Sequence, residues 1–280
     1  MTVSACLITR NEAANIGRCL ESVRLFADEI IIVDTGSTDN TPEICKQYGA
    51  RVFHHKWESD FSKARNQSIE KARGNWIIFV DADDVVPIES AEIINTLKTR
   101  PPNRYFIFTV RNIAPCTIDT HVKIMPEFIQ PRMFPNHKGI VFQGRVHEGF
   151  AKSAIEKGLV PNLIAGTIIE HHGYSDLAQT SEKIKRNIRL ILFSMGFPEK
   201  KDFIEFQFGV SFYCFYQPNC LTVWHGRKLI GAIDPFAHTL PRNDNDRADQ
   251  MKDVARACID EYFKTGTLFV NAQTGAMNVR

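Results

Sequence analysis

The sequence lacks the features that mark several large protein classes. Its seven cysteines are scattered and form no C-x-x-C pair, so we expect reduced core thiols and neither a zinc site nor a disulfide framework. Its formal net charge is only +2 at pH 7, which gives no electrostatic reason to expect general nucleic-acid binding. Its longest apolar run, over residues 203 to 216, is too short and too interrupted to span a bilayer.

A secretory signal is not expected either. The sequence begins MTVSACLITRNE, without the basic n-region and the longer apolar h-region that a signal peptide needs. We therefore expect a cytoplasmic protein without a transmembrane segment. With 280 residues, of which 44% are hydrophobic and 24% charged, the chain can bury a sizeable core.

Short apolar runs alternate with helical patterns at the start of the chain. The runs over residues 3 to 8, 29 to 33, 51 to 55 and 75 to 80 predict strands, and the segments between them predict helices. Strands separated by helices of this size need right-handed crossovers, which give a mostly parallel sheet with helices on both faces. The predicted class is therefore α/β and Rossmann-like.

Polar residues gather directly after three of these predicted strands. T-R-N-E occupies residues 9 to 12, D-T-G-S-T-D residues 34 to 39, and D-A-D-D residues 81 to 84. Open parallel sheets bind ligands beyond the carboxyl ends of their strands, so the three loops are expected to line one crevice.

The crevice lacks the glycine-rich loops that often hold phosphate, since neither G-x-G-x-x-G nor G-x-x-x-x-G-K-[ST] occurs. Carboxylates repel a diphosphate, so D-x-D at a strand end suits a site where Mg²⁺ or Mn²⁺ lies between the two. A helix cap or an Asx turn would also explain a single aspartate at such a position. The three polar loops in series therefore carry this prediction, and D-x-D alone does not.

Several blocks of the sequence together resemble the family 2 glycosyltransferases of GT-A fold. The first blocks are CLITRNEAANIGRCLESV, IIIVDTGSTDNT and DFSKARNQSIEKARGNWIIFVDADD. Two later blocks, RMFPNHKGIVFQGRVHEGF and IEHHGYS, are similar to the branch with peptide S-glycosyltransferases and lipopolysaccharide-core transferases. The resemblance covers roughly residues 3 to 195. It implies an inverting, metal-dependent enzyme that uses a nucleotide-sugar donor, most commonly a UDP-sugar.

The resemblance also implies a role for individual residues of these motifs. The residues expected to bind the substrate are Thr9, Arg10, Asn11, Glu12, Asp34, Arg65, Asp81, Ala82, Arg132 and His147. Residues 9 to 12 would belong to the nucleotide pocket, and Asp34 would accept hydrogen bonds from the base or ribose. Arg65 would lie near the nucleotide or sugar. Arg132 would steer phosphate or acceptor, with a structural role as its alternative.

A metal site is implied in the same way. Asp83 and its partner Asp81, which faces the sugar, would hold the Mn²⁺ or Mg²⁺ that bridges the diphosphate, and His171 would supply a third ligand. A histidine hydrogen-bonded inside a loop is the alternative for His171. Asp84 is expected to turn outward or to cap the next helix.

Displacement with inversion also needs a base within hydrogen-bond reach of the acceptor. V-H-E at residues 146 to 148 follows F-Q-G-R in a segment that we predict to be a return strand. His147 and Glu148 would then point to opposite faces, so only one of them would enter the crevice. Glu148 is the predicted catalytic base and His147 is the second candidate. A surface glutamate on an edge strand is the remaining alternative.

The C-terminal third of the chain differs in its pattern. Residues 203 to 216 and 221 to 233 are predicted to form a helix pair. The family often carries tetratricopeptide-like helices here, and about one repeat would fit. We therefore expect a GT-A catalytic domain over residues 1 to 176. A small helical region over residues 177 to 280 would then cap it, shape acceptor access or form a homodimer.

Two other function classes remain open. A nucleotidyltransferase acting on sugar phosphates also uses aspartates and a divalent metal, but its first loop is typically glycine-rich and basic, whereas this chain has no glycine before Gly17. A non-catalytic nucleotide-sugar-binding module would not need the full set of acidic residues present here. The acceptor stays open between a peptide, a glycan and another small molecule, and the donor sugar and base stay open as well.

Overall fold

The structure is a computed structural model that divides the chain into two compact units. One unit comprises Met1–Pro115 and Ile124–Asp176, and the other comprises Cys116–Lys123 and Leu177–Arg280. The described residues are 1 to 113, 117 to 119, 122 to 123, 127 to 173, 183, 186 to 187, 189 to 190, 204 to 208, 212 to 217, 220 to 225, 228 to 233 and 269 to 270. Every residue expected to form the site lies in the first unit.

The described elements are fifteen strands and five helices. The strands are β1 (Val3–Thr9), β2 (Glu29–Asp34), β3 (Arg51–His54), β4 (Trp76–Phe79), β5 (Asp84–Val85), β6 (Arg104–Asn112), β7 (Thr117–Asp119), β8 (Val122–Lys123), β9 (Glu127–Pro135), β10 (Val160–His171), β11 (Ile204–Phe208), β12 (Phe212–Gln217), β13 (Cys220–His225), β14 (Lys228–Ile233) and β15 (Phe269–Val270). The helices are α1 (Ile16–Val23), α2 (Thr41–Gln47), α3 (Phe61–Lys71), α4 (Ile88–Leu97) and α5 (Ala151–Glu156).

Eight strands form the sheet of the first unit, in the order β3-β2-β1-β4-β9-β6-β10-β5. β1 pairs in parallel with β2 and β4, and β2 pairs in parallel with β3. β9 runs antiparallel to both β4 and β6, while β10 is parallel to β6 and antiparallel to β5. The predicted parallel sheet is confirmed for β1 to β4. The complete sheet is mixed, because β9 and β5 run against their neighbours.

Helices cover both faces of this sheet, as predicted. α1 and α4 bury apolar side chains such as Leu20 and Ile94 in a core on one face, and α2 adds Cys45 to it. α3 and α5 contribute to the core on the opposite face, through Ile69 and Ala154. All of β4 is buried. Its residues are apolar along the whole strand because helices cover both faces of the sheet. The covered strands therefore deliver their polar loops to one edge of the sheet.

Three cysteines of the first unit, Cys6, Cys19 and Cys45, are free and buried. Burial raises the pKa of Cys6 and of Cys45 to about 12, so both thiols stay protonated, as expected of reduced core residues. In the described part of the chain, no helix is long and apolar enough to cross a membrane.

The predicted helix pair over residues 203 to 216 and 221 to 233 is wrong. These segments form β11 to β14, which pair successively in an antiparallel sheet, with β15 parallel to β14. The runs are rich in aromatic and β-branched residues, and the turn-forming pairs Pro218-Asn219 and Gly226-Arg227 separate them in the sequence. Short apolar runs fit the helical and the strand period equally well, so spacing alone misassigned them. Strands β11 to β14 do not fit a tetratricopeptide-like arrangement, which consists of helices.

The predicted return strand over residues 142 to 148 is also wrong. β9 is the strand that returns beside β4, and residues 144 to 148 form an irregular loop closed by a bridge between Gln143 and Gly149. His147 has a φ of 55°, which a continuous strand does not allow. The opposite-face argument for His147 and Glu148 therefore does not apply.

Candidate active site

The loops that follow β1 and β2 are tied to each other by hydrogen bonds. Asn11 Oδ1 accepts from the Thr38 N–H at 2.7 Å, and the Asn11 N–H donates to Ser37 Oγ at 2.9 Å. The Glu12 N–H donates to Thr41 Oγ1 at 2.8 Å. Asn11, which was expected in the nucleotide pocket, thus uses its side chain to hold the two loops together.

Asp34, at the end of β2, is 2% exposed and caps the turn that follows it. Its Oδ2 accepts from the N–H groups of Gly36 and Ser37, each at 3.1 Å, and its Oδ1 accepts from Ser37 Oγ at 2.5 Å. This is the bonding of an Asx turn. Thr9 is buried beside Asp34, with 3.4 Å from Thr9 Oγ1 to Asp34 Oδ1, and Arg10 is exposed at the same edge.

Two buried arginines hold the first aspartate of D-A-D-D. Arg65 Nη2 lies 2.7 Å from Asp81 Oδ1, and Arg132 Nη1 lies 3.2 Å from Asp81 Oδ2. Both guanidiniums pack on the Phe79 ring, with Cζ 4.6 Å and 4.5 Å from its centroid. Burial alone would raise the pKa of Asp81, but Arg65 and Arg132 hold it well below its ordinary value. Asp81 is therefore an ionised carboxylate in a fixed orientation.

The same Arg65 side chain reaches the predicted base. Arg65 Nε donates to Glu148 Oε1 at 2.6 Å. Burial alone would lower the pKa of Arg65, but Asp81 and Glu148 raise it above its ordinary value. Glu148 Oε2 makes no hydrogen bond to a residue that the structure describes, and the Glu148 side chain is 11% exposed. One cation thus joins the predicted base to the D-x-D motif.

The loop that carries Glu148 is fastened to α3. Asn66 Oδ1 accepts from the Phe142 N–H at 2.8 Å, and Asn66 Nδ2 donates to the Phe142 carbonyl at 3.0 Å. The N–H of Phe61 donates to the carbonyl of Arg145 at 2.9 Å. Asn66 is the neighbour of Arg65 on α3, so one helix positions both the loop and the cation that meets Glu148.

The other two aspartates of D-A-D-D lie against His171. β5 and β10 pair antiparallel, with His171 directly opposite Asp84. His171 Nδ1 lies 2.8 Å from Asp84 Oδ1 and 3.4 Å from Asp83 Oδ1. Burial alone would lower the pKa of His171, but its hydrogen bond to Asp84 and the charges of Asp83 and Asp84 raise it.

The expectation that Asp84 turns outward or caps the next helix is wrong. Asp84 is 0% exposed, and Pro87 occupies the cap position of α4. Asp84 Oδ2 accepts from the Asp81 N–H at 2.9 Å and lies 3.1 Å from Arg132 Nη1. A carboxylate with these partners is stable when buried, because its charge is paired and hydrogen-bonded.

Gly173 leaves room for two atoms of the kind that bind metals. A Cβ added at this glycine would lie 2.5 Å from Asp83 Oδ2 and also 2.5 Å from His171 Nε2. The two atoms therefore converge on one small space beside the Gly173 backbone. A carboxylate oxygen and an imidazole nitrogen are both suitable ligands for Mn²⁺.

The charge of the cluster also fits a divalent cation. It contains four carboxylates and two guanidiniums, which leaves two negative charges when His171 is neutral. Asp81, Asp84 and His171 also offer ligand atoms within 4.8 Å of one another. Asp83 Oδ2 and His171 Nε2 are the pair that converges beside Gly173, whereas Asp84 is held by His171, Arg132 and the Asp81 N–H.

Most of the expected site residues thus meet in one connected set of charges. In order of contact, the set is Glu148, Arg65, Asp81, Arg132, Asp84, His171 and Asp83. Ala82 is buried within the motif, and His147 is exposed beside Glu148. Sequence reasoning missed the parts played by Asp84 and Gly173. The third aspartate of D-A-D-D and the glycine after the paired histidines were the available signals.

The curated proteins of similar sequence include two relatives that are longer than this chain. A TPR repeat-containing protein of Synechococcus elongatus is 35% identical over 195 residues, covering 66% of this chain and 47% of that protein. The SPbeta prophage-derived glycosyltransferase SunS of Bacillus subtilis is 31% identical over 196 residues, covering 68% and 44%. The chain spans about half the length of these curated relatives.

A solved structure of similar fold and a matching family model give two further comparisons. The crystal structure of S. aureus TarS has a TM-score of 0.51 and 18% sequence identity, covering 72% of this chain and 41% of that one. This likeness agrees with the predicted GT-A arrangement of a sheet with helices. Residues 4–157, more than half of the chain, match the family described as Glycosyl transferase family 2. The chain therefore belongs to glycosyltransferase family 2, and the prediction from its motifs is confirmed.

Proposed function

We propose that this chain transfers a sugar from a nucleoside-diphosphate donor, such as a UDP-sugar, to a peptide, glycan or other acceptor. The transfer inverts the anomeric carbon and uses bound Mn²⁺ or Mg²⁺. The observation that carries the proposal is the bridge that Arg65 makes between Glu148 and Asp81. It places a carboxylate able to remove a proton beside the motif that faces the leaving group, and an inverting transfer needs both in one site.

The donor side of the site is formed by D-A-D-D and its partners. Asp83 and His171 would hold the divalent cation, since Asp83 Oδ2 and His171 Nε2 converge beside Gly173. When bound, the cation supplies Lewis-acid stabilisation of the departing diphosphate. Asp81, which Arg65 and Arg132 hold ionised, would accept hydrogen bonds from hydroxyl groups of the donor.

The nucleotide side is formed by the joined loops after β1 and β2. Asn11 and Asp34 would act there by fixing the shape of the loops, because their side chains are engaged within them. Arg10, which is exposed, would be placed for direct contact with the nucleotide, while Glu12 Oε2 accepts from Asn15 Nδ2 at 2.9 Å within its own loop.

Glu148 would act on the acceptor. Its Oε1 is held by Arg65, so Oε2 is the oxygen that would take the acceptor's proton. The bond from the acceptor to the anomeric carbon forms as the bond to the diphosphate oxygen breaks. The proton stays on Glu148, and the electron pair leaves with the diphosphate.

A donor panel tests this proposal. The melting temperature of the chain is measured with α-linked UDP-, GDP- and TDP-sugars, each with and without Mn²⁺, because a ligand that binds only the folded state raises it. We expect a Mn²⁺-dependent rise with at least one donor. Transfer from that α-linked donor should then give a β-linked product by NMR. The absence of any metal-dependent rise across the panel would contradict the proposal.

We also propose that residues 1 to 176 form the catalytic domain and that residues 177 to 280 shape acceptor access or form a homodimer. Sedimentation of the full chain over a range of concentrations tests the dimer. A monomer at every concentration would leave acceptor access as the role of this region.

A further inference from the structure

We propose that Asp84 is a positioning residue for His171, whose carboxylate fixes the imidazole with its proton on Nδ1 so that Nε2 faces the proposed cation. The inference rests on the proposed function in one respect, since it presumes that His171 is a ligand. The proposed function gives Asp81 a role in donor binding and Asp83 a role in cation binding, but it gives no role to Asp84.

The contact between the two residues is built into the sheet. Asp84 begins β5 and His171 ends β10, and the register of these strands sets the two residues opposite each other. The His172 N–H donates to the Asp83 carbonyl at 2.9 Å, which continues the pairing past the strand end. The 2.8 Å separation of Asp84 Oδ1 and His171 Nδ1 therefore follows from backbone pairing as well as from side-chain rotamers.

Asp84 is itself held so that it cannot turn away. Its Oδ2 meets two donors, the Asp81 N–H at 2.9 Å and Arg132 Nη1 at 3.1 Å. Arg132 is 1% exposed and Asp84 is 0% exposed. With His171 Nδ1 on Oδ1, three donors already contact the carboxylate, which favours a role as the support of a ligand over a role as a ligand itself.

The proton position on His171 follows from this arrangement. A neutral imidazole carries one proton, and a carboxylate can only accept a hydrogen bond. The proton shared with Asp84 must then lie on Nδ1, which leaves the lone pair on Nε2. Nε2 and Asp83 Oδ2 would each lie 2.5 Å from a Cβ added at Gly173, so both atoms face the same space. A carboxylate behind a metal-binding histidine is known to fix the ring and to strengthen its metal affinity.

The isosteric variant Asp84→Asn makes the inference testable. The position of Oδ2 faces two donors, so the amide oxygen of the variant should occupy it. The amide NH₂ would then point at His171 Nδ1 and turn this nitrogen into an acceptor. The ring proton moves to Nε2, where it blocks the lone pair that the cation needs.

The first measurement uses the metal-free full chain. Two-bond ¹H–¹⁵N spectra of ¹⁵N-histidine-labelled protein, recorded at a pH well above the pKa of His171, report which ring nitrogen carries the proton. His171→Gln identifies the signal. We expect the Nδ1–H form in the wild type and the Nε2–H form in Asp84→Asn. An Nε2–H signal in the wild type would overturn the inference.

The second measurement is the affinity for Mn²⁺, alone and with UDP, by electron paramagnetic resonance titration. Asp84→Asn should weaken binding about 10- to 100-fold, the usual loss when the support of a ligand is removed. Glu148→Gln is the matched control, because it removes the same charge from the same cluster without touching His171. An equal loss in both variants would mean that only the charge matters, which contradicts a positioning role.

These outcomes are separable from the proposed transfer. If no sugar is transferred to any acceptor but the wild type shows Nδ1–H and Asp84→Asn loses Mn²⁺ affinity, the inference stands and the proposed function fails. If sugar is transferred while His171 carries its proton on Nε2, the proposed function stands and the inference fails. Should Asp84→Asn not fold, the wild-type spectrum alone decides.

Discussion

Arg65 Nε donates a hydrogen bond to Glu148 Oε1 across 2.6 Å, although 83 positions separate the two residues in the chain. The Arg65 side chain is 9% exposed and the Glu148 side chain is 11% exposed, so water does little to weaken the contact between them. It fixes the carboxylate that we propose as the base, and it does so from a helix that also clamps the Glu148 loop. The position of Glu148 is therefore a property of α3 as much as of its own loop.

Arg65→Lys should lower kcat about 100-fold with a much smaller change in the donor KM. A lysine has one ammonium and cannot reproduce the two directed hydrogen bonds of the guanidinium, to Glu148 and to Asp81. A base displaced by about 1 Å costs roughly this factor. Steady-state kinetics with the donor found in the panel measure it.

The control for this variant is Arg51→Lys. Arg51 is also paired with a glutamate, Glu29, but at the far end of β2 from the polar loops. Its replacement should leave kcat unchanged. Equal losses in the two variants would remove Arg65 from any specific role.

Glu148→Gln should bind the donor as the wild type does and lose about 10²- to 10⁴-fold in kcat, the range for removal of a general base. The amide oxygen can still accept from Arg65 Nε, so the loop is expected to keep its place, but an amide cannot take the acceptor's proton. Donor-induced thermal stabilisation and turnover are measured on one preparation. Turnover near the wild-type rate would exclude Glu148 and direct attention to His147.

The predictable part of this fold is the part encoded locally. β1 to β4 and the helices between them follow from short apolar runs and helical spacing, and their order fixes where the polar loops meet. β10 is half exposed along its first residues and carries no clean alternation, so no period identified it. β11 to β14 satisfied a helical spacing by coincidence, and the signals for strands were their aromatic and β-branched residues and the turn-forming pairs between them.

The candidate site can also be divided into a part that the sequence predicts and a part that it does not. Glu148, Asp81 and Asp83 could be named as candidates from motifs, but the burial of Asp84 could not be predicted. An aspartate is buried at low cost only if it finds partners, and those of Asp84 are His171 and Arg132, on strands far along the chain. Sequence spacing carries no information about such pairings.

Gly173→Ala should weaken Mn²⁺ binding by about 10-fold or more, the scale seen when a ligand loses its support. The added Cβ would lie 2.5 Å from both Asp83 Oδ2 and His171 Nε2, so at least one of them must move. Gly17→Ala is the control, since its Cβ would meet only Tyr48 Oη, at an ordinary 3.5 Å. Calorimetric titration with Mn²⁺ compares the two, and equal affinities would mean that neither atom binds the metal.

Asn66→Ala should loosen the loop that carries Glu148. The variant removes both hydrogen bonds to the Phe142 backbone and leaves a buried N–H and carbonyl without them, at a cost of about 1 to 3 kcal/mol. Amide exchange in residues 142 to 149 should become faster, and kcat should fall while donor binding is kept. Unchanged exchange in this loop would show that other contacts hold it.

Glu29 should make the fold sensitive to acid. Burial alone would raise the pKa of Glu29, but hydrogen bonds from Ser4, Arg73 and Gly74 bring it below its ordinary value of 4.5. A carboxylate whose pKa is lowered by folding stabilises the folded state above its ordinary pKa, and this stabilisation is lost as the pH falls through the lowered value. The urea midpoints of wild type and Glu29→Gln should therefore differ at neutral pH and converge as the pH falls below about 4.5. A difference that stays constant over this range would show that Glu29 does not change its pKa on folding.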